Sequence, residues 1–69
     1  MTAYVKTANH GILNMREKPE KVSKILARIP DQTAIEAEKE NEIWSKVIYN
    51  GQVGYVMTEF LSNSNNNEL

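Results

Sequence analysis

WSKVIYNGQVGYV, residues 44–56, is the stretch on which the fold turns. Two runs rich in β-branched and aromatic residues flank Asn50-Gly51, a dipeptide suited to the two φ > 0 positions of a tight type I′ turn. A two-residue loop fixes the register. Tyr49 then faces Gln52, Ile48 faces Val53, Val47 faces Gly54, Lys46 faces Tyr55, Ser45 faces Val56 and Trp44 faces Met57. One face carries Ile43, Ser45, Val47, Tyr49, Gly54 and Val56; the other carries Trp44, Lys46, Ile48, Val53, Tyr55 and Met57. Both are substantially apolar, whereas a half-buried hairpin shows one polar face. Part of the second face must therefore be covered by the termini or left open as a ligand surface. Gly54, opposite Val47, marks a place where strands bend sharply or approach closely.

Working outward, Ala3 to Thr7 is a short strand ended by Asn9-His10-Gly11, and Ile12 to Arg16 resumes in extended form. Glu17-Lys18-Pro19-Glu20 reads as loop, because the residue before a proline is pushed away from helical geometry. Lys21 to Ile29 is ambiguous. Val22, Ile25, Leu26 and Ile29 have helical spacing, yet Pro30 closes the run early, and the local reading favours loop then strand. Thr33 to Glu38 alternates, with Ile35 and Ala37 on one side and Glu36 and Glu38 on the other; Glu40-Asn41-Glu42 is a polar turn. Thr58 to Leu61 suits a short helical turn that delivers Phe60 and Leu61 to the core. The polar run from Ser62 has nothing to bury, which predicts a domain over residues 1–62 and a disordered tail or linker over 63–69. Five to six short strands in so short a chain predict a small all-β barrel that closes its sheet and removes exposed edges.

Sixty-nine residues make one small domain. A chain of this size buries only roughly 60% of the surface its unfolded form exposes, so the core is small. There is no cysteine, which excludes disulfides, a thiol nucleophile and a Cys-type zinc site. Net charge is −1, giving no general attraction to nucleic acid. Basic residues gather at Arg16, Lys18, Lys21, Lys24 and Arg28, whereas Glu36, Glu38, Glu40 and Glu42 surround only Lys39. The basic cluster contains no aromatic residue to interleave with bases. No apolar run approaches the ~20 residues needed to cross a membrane, and the opening residues lack the pattern of a signal peptide. His10 and Asp31 are the only residues of their kinds, and neither has a partner at a useful spacing in the sequence. Nothing here predicts catalysis or a phosphate-binding loop.

Taken in order, these residues resemble the bacterial SH3 domain. The elements that match are Leu13-Asn14-Met15-Arg16, Pro19, Lys24-Ile25-Leu26, Gln32-Thr33-Ala34-Ile35, Trp44-Ser45-Lys46-Val47, Asn50-Gly51, Gly54-Tyr55-Val56 and Phe60-Leu61, spread over residues 3–62. The resemblance implies an SH3-like barrel with a short helical turn near its C-terminus, and it settles Lys21 to Ile29 as loop plus strand. Lys18 and Gln32 stand where the family pattern has glycine, which implies a somewhat different loop backbone. The family also implies a non-catalytic adhesion or targeting module with no cofactor. Characterised relatives are often appended to peptidoglycan hydrolases and bind the cell wall or its peptide cross-bridges. Others are spacers or protein-contact domains, some in phage proteins. A peptidoglycan or peptide ligand, a neighbouring catalytic domain or a protein partner is thus expected, with no nucleic acid and no membrane insertion. The location would be extracellular or wall-associated if the parent protein is exported. The proline-rich peptide groove of eukaryotic SH3 domains does not transfer, because its paired aromatic pattern is not visible.

Trp44 and Tyr55 share a predicted hairpin face within diagonal reach, and a shallow aromatic platform suits peptide or sugar; the same positions also suit core or strand cover. Asn14 is expected to bond loop backbone, and Arg16 to pair with an acidic neighbour, brace the first loop or contact a ligand; with Trp44, Tyr55, Lys18 and Lys21 they make up six candidate ligand-binding residues. Lys18 and Lys21 border that loop, where they would meet anionic wall polymer or simply be solvated. Tyr4, Tyr49 and Phe60 read as structural.

Overall fold

A computed structural model describes residues 1–63; the expected tail lies, from Ser64 onward, outside the described residues. Seven strands run β1 (Thr2–Val5), β2 (Ile12–Arg16), β3 (Ile25–Pro30), β4 (Ala34–Lys39), β5 (Trp44–Tyr49), β6 (Gln52–Met57) and β7 (Leu61–Ser62). A tight turn over Ala8–His10 separates β1 from β2, and a 3₁₀ turn over Thr58–Phe60 joins β6 to β7. The two-residue β7 takes the count past the five or six strands expected.

The β5–β6 hairpin has the register derived above, from Trp44 opposite Met57 to Tyr49 opposite Gln52. Its turn residues Asn50 and Gly51 take φ of 52° and 78°, as a type I′ turn requires. Lys21 to Ile29 is loop and then strand, the helical spacing notwithstanding. β3 pairs with β2 from Pro30 back to Ile25, and an irregularity between Met15 and Arg16 leaves Leu26 as the extra residue of a bulge.

All pairings are antiparallel, and the strands form one sheet in the order β3-β2-β6-β5-β4-β1-β7. The expected closure is corrected here: β3 and β7 end the sheet and are not paired to each other. These edges are protected by other means. β7 is only two residues long, and β3 carries Arg28, the bulge and Pro30, all features that discourage a further strand.

The sheet curls because β2 meets β6 at a single residue pair, Arg16 with Tyr55, before turning away to β3. Period-two alternation sends Ala3 and Val5, Leu13 and Met15, Ile35 and Ala37, Val47, and Val56 inward, with Ile29 from β3. Leu26, Tyr49, Phe60 and Leu61 pack around this core. Among the described residues Ser45 is the one polar residue in the buried set, and its hydroxyl lies 2.7 Å from that of Thr58. That hydrogen bond satisfies both groups and ties β5 to the 3₁₀ turn.

Two backbone features explain otherwise odd residues. A Cβ at Gly54 would stand 2.6 Å from Met15 Cγ and 3.0 Å from the Arg16 carbonyl oxygen, so β6 can cross β2 only without a side chain there. Gln32 takes φ of 68°, the left-handed region that glycine favours. The departure from the family's glycine is therefore one of residue type, with the left-handed conformation present. Its N–H donates to the Val5 carbonyl at 2.6 Å, holding the β3–β4 turn against β1.

Gly54→Ala should lower stability by about 1–3 kcal/mol, the cost of overpacking against an immobile core residue, in urea denaturation monitored at Trp44. Gln32→Gly should raise it by about 0.5–1 kcal/mol, because relief of the left-handed penalty outweighs the greater freedom of glycine in the unfolded chain. An unchanged or lowered midpoint for the glycine variant would show that Gln32 is not strained.

Candidate functional site

The hairpin's second face divides into two halves. Near the turn it is left open: Ile48 and Val53, directly opposite one another, are 52% and 51% exposed. With Met1, Lys46 and the two carboxylates Glu36 and Glu38 they line a shallow concavity of about 340 Å³. At the other end Trp44 is only 8% exposed, because the fold covers it. The Asn41 side-chain oxygen sets its position by accepting from the backbone N–H groups of Ile43 and Trp44, both at 2.9 Å. This side-chain turn fixes where β5 begins.

A groove of about 310 Å³ runs over that covered end. β2 contributes Ile12, Asn14 and Arg16 to one wall, the β2–β3 loop contributes Lys21, and Phe60 of the 3₁₀ turn stands across from them. Trp44 and Met57, an opposed pair in the hairpin ladder, lie between. A second concavity of about 280 Å³ adjoins it, sharing Lys21 and Met57 and adding Glu42, Ile43 and Glu59.

Backbone hydrogen bonds, among them Glu17 N–H to the Lys24 carbonyl at 2.9 Å, close the loop between β2 and β3, and one serine cross-braces it. Ser23 Oγ accepts from the Lys18 N–H and donates to the Lys18 carbonyl, each at 3.1 Å. The Ser23 carbonyl in turn accepts from Arg16 Nη1 at 2.9 Å. Arg16 therefore braces the loop, one of the two roles expected of it, while still lining the groove.

Of the six candidate residues, Asn14, Arg16, Lys21 and Trp44 come together in the groove. Lys18 does not line it, and its side chain is exposed. Tyr55, half-buried, stands between Arg16 and Lys46 in the ladder. The paired Trp44–Tyr55 platform is thus corrected: Trp44 is a buried floor and Tyr55 lies outside the groove. Asn14 was expected to bond loop backbone, yet among the described residues its side-chain amide has no hydrogen-bond partner, although it is half-buried. An amide in that condition is available to a ligand.

Sequence reasoning missed Ile12, Met57, Glu42, Ile43 and Glu59, and took Phe60 as structural only. Met57 was within reach, since the register already placed it beside Trp44 on one face. It also missed a row that strand pairing assembles. Arg16, Tyr55, Lys46 and Glu38 are successive cross-strand neighbours, so an aromatic ring is flanked by two cations after all, with a carboxylate closing the row.

His10 and Asp31 need a correction as well. They lie 21 positions apart in sequence, but His10 Nδ1 is 3.0 Å from Asp31 Oδ2. Asp31 Oδ1 accepts from the Thr7 backbone N–H at 2.7 Å and from its hydroxyl at 3.3 Å. The carboxylate is the centre of this cluster, and its side chain is 8% exposed. It clasps the β1–β2 connection to the end of β3. The Thr7 N–H holds the Asp31 pKa below its ordinary value; partial burial opposes this, and the hydrogen bond from His10 reinforces it.

The molecule is thus a small, partly open β-barrel with a groove beside its longest loop. A family model described as the bacterial SH3 domain matches residues 11–62, everything from the start of β2 to the end of β7, and the chain belongs to that family. Bacterial SH3 domains are binding modules. No protein in the curated set matches the chain. Among the described residues no helix is long and apolar enough to cross a membrane.

A lowered carboxylate pKa stabilises the fold at pH above the unfolded-state value, 3.8 for this group, and that contribution disappears as pH falls through the folded-state value. Thermal midpoints of the wild type and Asp31→Asn should therefore converge as the solution is acidified below that pH. If the gap between them were the same at neutral and strongly acid pH, the charge on Asp31 would not be what holds the clasp.

Proposed function

We propose that this chain is a non-catalytic targeting module that binds bacterial cell-wall peptidoglycan or its peptides in the groove over Trp44. The half-buried Asn14 amide, without a hydrogen-bond partner among the described residues and beside an apolar floor, carries this reading. A peptide or amide-bearing glycan supplies both halves of the match: hydrogen-bonding groups for Asn14, and apolar surface for Trp44, Met57 and Phe60. Arg16 and Lys21 add attraction for wall carboxylates.

The absence of catalysis is part of the proposal. In a nucleophile–base–orienter relay the imidazole stands in the middle. In the clasp the carboxylate stands between Thr7 and His10, so the histidine does not reach the threonine hydroxyl through this chain of contacts.

A second reading draws on the open half of the hairpin face. Exposed Ile48 and Val53 beside Met1 fit a structural or protein-contact module of a larger protein, one without wall affinity.

Titration of the isotope-labelled domain with soluble peptidoglycan fragments, followed by two-dimensional NMR, separates the two. Saturable shifts at Asn14, Lys21, Trp44 and Met57 are expected. A spectrum that stays still at millimolar fragment would exclude the wall reading and leave the Ile48–Val53 face as the working surface.

A further inference from the structure

The groove and the hollow beside it differ in charge. Arg16 and Lys21 line the first with no carboxylate among the lining residues, and Arg28 stands directly opposite Asn14 in the β2–β3 ladder, on the same face. In the second the lining turns acidic, with Glu42 from the β4–β5 turn and Glu59 from the 3₁₀ turn flanking Ile43. Apolar side chains line both hollows, Ile12, Trp44, Met57 and Phe60 in the first and Met57 with exposed Ile43 in the second.

The acidic hollow is only partly neutralised by the protein itself, through Lys21 in its lining and Lys39 beside Glu42. Glu42 has one loose ion pair, with Lys39 at 3.6 Å, and its side chain is 90% exposed. Among the described residues Glu59 has no ion pair, and Lys21, which lines both halves of the groove, has none either. Each end is thus left with charge that a ligand can answer.

We propose, building on the peptide-binding reading above, that the groove takes a short extended peptide in one direction. Its free amino terminus lies against Glu42 and Glu59, and its carboxylate points toward Arg16 and Arg28. The apolar strip contacts the peptide between its ends, and the Asn14 amide bonds a peptide group near the carboxyl end. Reversal would set like charges together at both ends, so the same residues that attract one orientation repel the other. Lys21 lines both hollows, so its charge offsets part of the acidic one, and the direction is set by Glu42 and Glu59 on one side against Arg16 and Arg28 on the other.

The test starts from three of its four probes on the intact domain: tetraalanine, N-acetyl-tetraalanine and tetraalanine amide, each titrated into the labelled protein under NMR at low salt. Free tetraalanine should shift Asn14, Met57, Ile43 and Glu59. Acetylation, which removes the ammonium, should weaken binding by roughly tenfold, the value of about one charge-assisted contact. Amidation should weaken it by a smaller factor, since Arg16 also serves the loop. In the Glu42→Gln/Glu59→Gln protein, whose changes are at exposed positions, free and acetylated peptides should bind alike. A fourth probe, trialanine extended by a nitroxide-tagged cysteine at its carboxyl end, should broaden the Asn14 and Arg28 signals more than those of Ile43 and Glu59.

Equal affinity for free and acetylated peptides, or broadening at the Glu59 end, would overturn the proposal. So would an unmoved groove at millimolar concentrations of every alanine peptide. Should peptidoglycan fragments still shift the groove in that last case, the wall-binding reading survives and only the oriented-peptide inference falls. A domain unmoved by both sets of probes would remove both.

Discussion

Gly54 lets β6 pass directly over Met15, and most of the architecture follows from that contact. Met15 is fully buried beneath the crossing, and a Cβ on residue 54 would overlap its side chain. Because the strands come so close, β2 can pair with β6 at Arg16 and Tyr55 and then depart at an angle to meet β3. One sheet thereby becomes two layers enclosing Val5, Ile29, Val47 and Val56. The same crossing carries Ile12, Asn14 and Arg16 over the start of the hairpin, so the wall of the groove follows from the packing of the core.

The groove is otherwise built from turns, each stabilised by its own side-chain hydrogen bonds. Asn41 fixes the entry to Trp44, and Ser23 cross-braces the β2–β3 loop and gives Arg16 an acceptor. Asp31 does the same work at the opposite end of β3. Loops held in this way on a sheet scaffold can vary in ligand chemistry without disturbing the core beneath them. Glu42, Glu59 and Lys21 are at exposed positions, so their identities are not dictated by packing.

Much of this was legible in the residues. Asn50-Gly51 fixed a register that placed Trp44 beside Met57 and Val47 opposite Gly54, and Ile35 and Ala37 alternated inward as expected. What stayed hidden depended on contacts between distant segments. Asp31 and His10 are joined by the curvature of the sheet, which no local pattern encodes. Tyr55 was assigned to a platform because its face was known, but the strand that would lie beside it was not; Arg16 occupies that place. Sheet closure failed as an expectation because strand number does not determine whether the last strand reaches the first. Asn14 was given a loop bond from its position alone, and among the described residues its side chain makes none.

The pairing of β7 with β1 has a mechanical meaning. Tyr4 lies beside Ser62 and Val5 beside Leu61, so the chain enters and leaves along adjacent antiparallel strands at one end of the molecule. Tension applied through both ends therefore opens this pair rung by rung, like a zipper, instead of shearing many hydrogen bonds at once. Two residue pairs resist it. Their separation draws Leu61 off the core and pulls on Phe60, a wall of the groove, before the central hairpin feels any load. A module tethered at both ends would thus give way first along this short seam, at the edge of the sheet.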